Sequence, residues 1–364
     1  MRLSPTLSIY LGRQFLNGIL FAFFVMMVLV LLADLVEHLR RAANKEQATF
    51  AVVLAMSFLQ LPSLAQKLLP FAALFGGIWT FSRLTRTHEL VVTRSSGVSV
   101  WQFLAPTLTI ALLIGAFVVT IFNPLASAMV TRYEQLEMKY LQGRPHLLAV
   151  SKNGLWLRQA DPKGQAVVHA RGISSQGTKL SGVIVFLYED ADRFVGRIDA
   201  AGAELRPGHW ALSDALLTAP DRPAEHHDTY RLHTSLTLAQ IQESFASPET
   251  MSFWSLPGFI ETLEAAGFSA KRHRLYWHTT LTLPALLCAM VLLSATFSLR
   301  LTRSGYTGWL IAAGVAAAFL LYFVSDIVVA MGLAGKLPVA LAAWTPTGVA
   351  LSLGLALLFY LEDG

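Results

Sequence analysis

"FLNGILFAFFVMMVLVLLADLV", Phe15–Val36, decides the class of this protein. A bilayer's hydrocarbon core is about 30 Å thick, so a helix rising 1.5 Å per residue needs roughly 20 apolar residues to cross it. This run supplies them with Asp34 as its one charge. It exceeds the roughly 7–15 apolar residues of a secretory signal core. It ends on Asp34, Glu37, Arg40 and Arg41 and not on a small-residue cleavage site. It reads as a retained membrane helix.

Working outward, five further stretches meet the same test: Phe50–Phe81, Trp101–Phe122, Trp277–Leu299, Gly308–Met331 and Leu341–Leu361. The second is too long for a perpendicular span and contains Pro62 and Pro70, so it should be tilted or bent. Composition agrees. Charged residues make up 14% of the 364-residue chain and hydrophobic ones 54%, against about 25% charged in a soluble domain. The formal net charge of +5 fits either contact with acidic groups or the usual excess of cytoplasmic arginine. Cys288, the single cysteine, lies in an apolar run. It precludes an intramolecular disulfide and reads as a small apolar filler.

The short loops set the expected orientation. Arg2, Arg13, Arg83, Arg86, Arg94, Arg300 and Arg303 fall on one side of six spans, and Arg40, Arg41, Lys45 and Lys336 on the other. The bias puts both termini in the cytoplasm.

Between Asn123 and His278 the pattern changes. Short alternating segments at 147–151, 154–159, 166–170, 182–189, 193–200, 209–218 and 229–234 are separated by breaks such as "KNG", "DPKG", "SSQG" and "RPG". Regularly spaced short strands predict an antiparallel sandwich, jelly roll or barrel. Ser255–Trp277 then reads as a helix returning to span four, with Pro257 in its first turn and Gly267 as its cap. The expected layout is residues 1–122 with three spans, 123–276 with the β domain and return helix, and 277–364 with three spans. On the orientation above, the β domain lies outside the cytoplasm.

No chemical engine is encoded. "GLAGKLP", Gly332–Pro338, lacks the spacing and hydroxyl of a phosphate-binding loop. Zinc-protease and nucleophile-elbow motifs are missing, the histidines do not repeat at metal-ligand spacing, and His226–His227 reads as a solvated turn. No cofactor, metal or nucleic acid is expected. The informative segment is "RLTRTHELVVTRSSG", Arg83–Gly97. Leu84, Leu90, Val91 and Val92 form its apolar positions, Arg83, Arg86, His88, Glu89 and Arg94 its polar ones, and Gly97 can stop a helix. Such a helix either docks into a groove on a soluble partner through Glu89 or lies on the membrane with its arginines on lipid headgroups.

"LPSLAQKLLPFAALFGGIWTFSRLTRTHELVVTRSSGVSVWQFL", Leu61–Leu104, resembles the second-span and coupling-helix region of the lipopolysaccharide export permeases, the LptF/LptG family. The likeness rests on two span prolines, "FAALFG", R-x-x-E-L-V-V and a small-small-Gly stop. "ELVV…SG", Met251–His278 and the tail "LEDG" are closer to the LptG branch than to LptF. In layout the resemblance covers nearly the whole chain. It implies a six-helix, 3+3 inner-membrane permease with an inserted periplasmic jelly-roll-like β domain. Such a permease is one subunit of an ABC exporter in outer-membrane biogenesis, without a nucleotide site of its own. It would pair with an LptF-like permease and an LptB-like cytoplasmic ATPase dimer. It would pass lipopolysaccharide to periplasmic bridge and single-span regulator proteins resembling LptA and LptC.

On that resemblance Glu89 stands where the family's coupling-helix glutamate stands, with Arg83, Arg86, Leu90 and Arg94 around it. Arg40 and Arg41 match basic family positions, and with Lys45 they are candidates to hold lipid phosphates. The alternative is snorkelling with a Glu37–Arg41 pair at i,i+4. Asp34 departs from a position where LptG relatives can carry lysine, so either that contact is missing or Asp34 serves a neighbouring arginine. Lys67, in mid-span, should face a cavity or a partner, and Asp326 matches an acidic family position. Two other classes stay open: a proton-driven transporter relaying through Lys67 and Asp326, and a membrane scaffold or lipid-modifying enzyme. The missing inverted repeat and catalytic cluster count against them.

Overall fold

The computed structural model describes residues 5–43, 45, 48–142, 148–151, 154–161, 164–173, 179–189, 193–220, 222–234, 247–265, 269–298 and 307–362. Arg2, Gly267, Arg300, Arg303 and the last two residues of the "LEDG" tail lie outside them. The chain divides into two units: Met1–Gln142 with Glu249–Trp254 and Arg274–Gly364, and Gly143–Pro248 with Ser255–His273.

The first unit is helical. Its elements are α1 (Pro5–Ala42), α2 (Phe50–Arg86), α3 (Glu89–Ser95), α4 (Val100–Phe117), α5 (Asn123–Glu137), α7 (Lys271–Ser298), α8 (Thr307–Leu333) and α9 (Val339–Glu362). Among the described residues, six helical stretches are long and apolar enough to cross a membrane, where the hydropathy pattern places them. α2 runs 37 residues with Pro62 and Pro70 in its interior, about 55 Å at 1.5 Å per residue.

The domain boundary differs from expectation. A break was expected at Phe122, yet a π-helical turn at Val118–Phe122 leads into α5, and a second at Met138–Gln142 extends the helix further. Asn123-Pro124 looks like a stop. Proline is tolerated here because the carbonyl one turn earlier, that of Thr120, accepts from Trp254 Nε1 at 3.1 Å in place of the amide proline lacks. α4 starts on a capping box in which Ser99 and Gln102 exchange side-chain and backbone hydrogen bonds.

α7 is the core of this unit, with Leu287, Ala289, Val291 and Ala295 at most 1% exposed. α1 and α2 cross backbone to backbone. A Cβ on Gly76 would lie 2.5 Å from Ile19 N, and one on Gly18 would lie 2.8 Å from Gly76 O. Small residues let helices approach this closely in lipid, where packing and not water exclusion drives association.

The second unit carries a seven-stranded antiparallel sheet: β1 (Leu148–Ser151), β2 (Gly154–Asp161), β3 (Gly164–Ile173), β4 (Lys179–Glu189), β5 (Arg193–Arg206), β6 (His209–Thr218) and β7 (Glu225–His233). Each strand pairs with its neighbours in sequence. The inserted antiparallel domain is therefore present, and its described strands form one meander without the crossovers of a two-sheet jelly roll. It is rolled all the same. β2 and β6 are four strand spacings apart, about 19 Å if flat, yet Trp210 Nε1 on β6 donates to Gln159 Oε1 on β2 at 3.3 Å. The alternating inward residues, among them Leu157, Val168, Val185, Ile198 and Leu212, fill the roll. Gly182, at φ 58°, steps the alternation of β4 between Leu180 and Val183. The His226–His227 pair lies on β7, not in a turn, and His226 Nε2 is 2.6 Å from Asp214 Oδ1.

Gln159 is the seam. It is 5% exposed, donates to His233 O at 2.9 Å, and accepts from Trp210 and from Thr234 Oγ1 at 2.8 Å. Gln159→Leu removes all three bonds while keeping the bulk. It should destabilise the rolled sheet by about 2 kcal/mol, read as faster amide hydrogen exchange in β7 of the full-length protein.

The return helix also differs. α6 (Leu256–Ala265) and α7 are separate helices, with α6 in the β unit and Pro257 in its first turn as expected.

Candidate functional site

Two polar ends of the helical unit hold the residues singled out above. At the first, α2 closes on Arg86, and His88 takes a left-handed conformation at φ 59° that redirects the chain into α3. Gly97, at φ 84°, ends it as expected. The apolar positions of the segment part company. Leu84 and Leu90 are each 2% exposed and join the core, while Val91 and Val92 are 39% and 67% exposed. α3 is thus rooted by one leucine and presents two valines outward. Arg83 Nη1 donates weakly to Gln14 Oε1 at 3.4 Å. Arg86 and Arg94 are exposed, with no acidic partner among the described residues. Glu89 accepts from Thr87 Oγ1 at 2.9 Å and from Tyr10 OH at 2.8 Å.

At the other end of α1 and α2, one carboxylate serves two guanidiniums. Glu37 accepts from Arg40 Nε and Nη2 at 2.8 and 2.9 Å and from Arg41 Nε at 2.7 Å. Arg41 Nη1 lies 3.6 Å from Glu137 Oε1 on α5. The expected i,i+4 pair exists, and Arg40 joins it while remaining 76% exposed at its side chain. Lys45 follows the helix and is exposed.

Asp34 serves no arginine. Its Oδ2 lies 3.1 Å from His38 Nδ1, not aligned for a hydrogen bond. His38, 3% exposed, also places Nδ1 3.0 Å from Ser57 Oγ on α2 and Nε2 3.1 Å from Tyr133 OH on α5. One imidazole therefore joins three helices. Nothing in the sequence pairs these residues. The available signal was a histidine one turn after an aspartate at the end of an apolar span.

Lys67 Nζ sits 3.0 Å from Glu249 Oε1, so its partner is the acid that opens the 249–254 segment. That segment is pinned by Asn123, 1% exposed, which accepts from Phe253 N at 2.7 Å and donates to Gln66 Oε1 and Tyr276 OH. Asp326 is exposed on α8 among Phe323, Val324 and Ile327, without a partner among the described residues. Lys67 and Asp326 are not joined to each other. Among the described residues no three His, Cys, Asp or Glu side chains gather to hold a metal.

The family model described as "Lipopolysaccharide export system permease LptF/LptG" matches residues 9–360. The lipopolysaccharide export system permease protein LptG of Haemophilus influenzae is 23% identical over 354 residues, covering 94% of this chain and 95% of that protein. Its namesake in Escherichia coli K12 is 23% identical over 351 residues, covering 93% of each. With six membrane-crossing helices interrupted by an antiparallel β domain in the same chain, the protein belongs to the LptF/LptG family of lipopolysaccharide export permeases, on the LptG side of it.

Proposed function

We propose that the protein is the LptG-like permease subunit of an ABC exporter that extracts lipopolysaccharide from the inner membrane and passes it to a periplasmic bridge. The single observation that carries this reading is α3: short, rooted in the bundle through Leu90, and open on the side bearing Val91, Val92 and Arg94. An element anchored in a membrane core and bare outside suits a soluble partner's groove. The partner proposed is a cytoplasmic ATPase dimer, with Arg83, Arg86, Glu89, Leu90 and Arg94 as the coupling residues. Both termini then lie in the cytoplasm and the β domain in the periplasm.

The second permease has a natural place. The apolar windows of α1 and α8 are only 6% and 11% buried within the chain. Phe21, Phe24, Leu29 and Leu32 on α1, and Leu320, Phe323 and Ile327 on α8, are exposed. An LptF-like subunit facing these helices encloses an apolar chamber. Acyl chains enter it at about 0.8 kcal/mol per buried methylene, while Arg40, Arg41 and Lys45 hold phosphates at its rim and Lys67 and Asp326 line it. Closure of the ATPase narrows the chamber and drives the lipid toward the β domain. From there it passes to bridge and regulator proteins of the LptA and LptC kind.

The test is affinity purification of the full chain from bacterial membranes. A nucleotide-binding protein should come with it. Glu89→Lys, which reverses the charge on the docking helix, should lower its recovery about tenfold, the weight of one charge-assisted contact, while the permease still inserts. A wild-type chain that purifies free of any nucleotide-binding protein sinks the proposal.

A further inference from the structure

Glu89 is bonded to the first helix as well as to its own turn. Thr87 is its neighbour, but Tyr10 lies 79 residues away on α1. The contact is one of a series. One turn beyond Tyr10, Gln14 accepts from Arg83 Nη1 through its side chain and from Thr80 Oγ1 through its carbonyl, at 3.4 and 3.3 Å. Phe15 stacks on Phe81 with ring centroids 6.4 Å apart, and Gly18 meets Gly76 backbone to backbone. From Tyr10 to Gly18, α1 is therefore fastened along the last third of α2. The Tyr10 bond reaches past His88 into α3 itself.

The geometry that makes this contact is specific. His88 is one of two described non-glycine residues with positive φ, a conformation that a bulky side chain adopts only when its surroundings hold it there. The reversal it creates brings Glu89, the first residue of α3, back against α1. Without it, a helix following α2 would carry Glu89 away from Tyr10.

We propose that Tyr10 is a positioning residue that clamps α1 to the coupling helix, so that displacement of α3 moves α1 and not α2 alone. α1 is 38 residues long, about 57 Å, and its far end carries Asp34, His38, Arg40 and Arg41. A shift at the foot is in this way delivered to the opposite face of the membrane along one continuous helix. The inference rests on α3 being the element on which an ATPase acts.

Two measurements on Tyr10→Phe, which keeps the ring and removes the hydroxyl, test it. In the first, spin labels are placed at the exposed positions Leu16 on α1 and Val92 on α3 of the full chain, in a Cys288→Ala background. The wild-type distance distribution should be narrow and that of Tyr10→Phe at least about twice as broad. An unchanged distribution overturns the clamp whether or not any ATPase binds. In the second, the purified exporter complex is reconstituted in lipid nanodiscs, and the lipid released per ATP hydrolysed should fall about tenfold in Tyr10→Phe. A ratio equal to wild type overturns the transmission role. A simple folding defect would lower the yield of complex and leave that ratio alone. Recovery of wild-type chain without any nucleotide-binding protein refutes the functional reading instead, and the spin-label result still decides the clamp.

Discussion

Gly76→Leu should prevent α1 and α2 from packing and leave little folded protein. A Cβ at that position would lie 2.5 Å from Ile19 N and 2.6 Å from Ile19 Cα. Both are backbone atoms, so no rotamer change relieves the overlap and the helices must separate. Separation also removes the Phe15–Phe81 stack and the contacts of Gln14 with Thr80 and Arg83. Overpacking a tight site commonly costs about 1–3 kcal/mol and more where backbone is the obstacle, so an effect of about 4 kcal/mol is expected. Thermal unfolding in detergent, followed by size-exclusion chromatography, measures it. Gly348→Ala on α9 is the control. Nothing lies within 4 Å of its added Cβ, and alanine favours a helix over glycine by about 1 kcal/mol, so that variant should melt at or above the wild-type temperature. Equal melting of Gly76→Leu and wild type would refute the close crossing.

His38→Leu should be the most damaging single change at the opposite end of α1, at about 3 kcal/mol. Ser57 is 0% exposed and bonds only to His38 among the described residues, and Asp34 has no other partner there. Removing the imidazole strands a buried hydroxyl and a largely buried carboxylate, and an orphaned buried charge is worse than none. The sign of the double variant separates this from simple loss of packing. Asp34→Leu added to His38→Leu should recover part of the loss, because both members of the pair are then gone. Additive destabilisation would mean that Asp34 does not depend on His38. Detergent melting curves of the four proteins provide the comparison.

Much of the architecture was legible because each feature is local in the chain. Six spans follow from runs of apolar residues, the strands from two-residue alternation, and the end of α3 from Gly97. The exceptions are equally physical. The boundary expected at Phe122 falls inside a helix, which a π turn carries on past Pro124. Leu90, Val91 and Val92 form one apolar run in sequence, and only the direction of α3 against the bundle sends the leucine inward and the valines out. The Glu37–Arg41 and Asp34–His38 neighbours share i,i+4 spacing, whereas the partner of Lys67 lies 182 residues away. The contacts of Tyr10, His38 and Gln159 likewise depend on which helix faces which, or on how far a sheet curls. No spacing rule encodes that.

The strand order β1 to β7 has a consequence for biosynthesis. A chain made from its amino end can add each strand to the one just completed, without waiting for a distant partner, and such local pairing folds quickly. No disulfide has to be formed within the chain, whose single cysteine lies in α7. Most of the rolled sheet can therefore assemble before α8 and α9 are made, so that the β domain does not depend on the last membrane helices for its strand pairing.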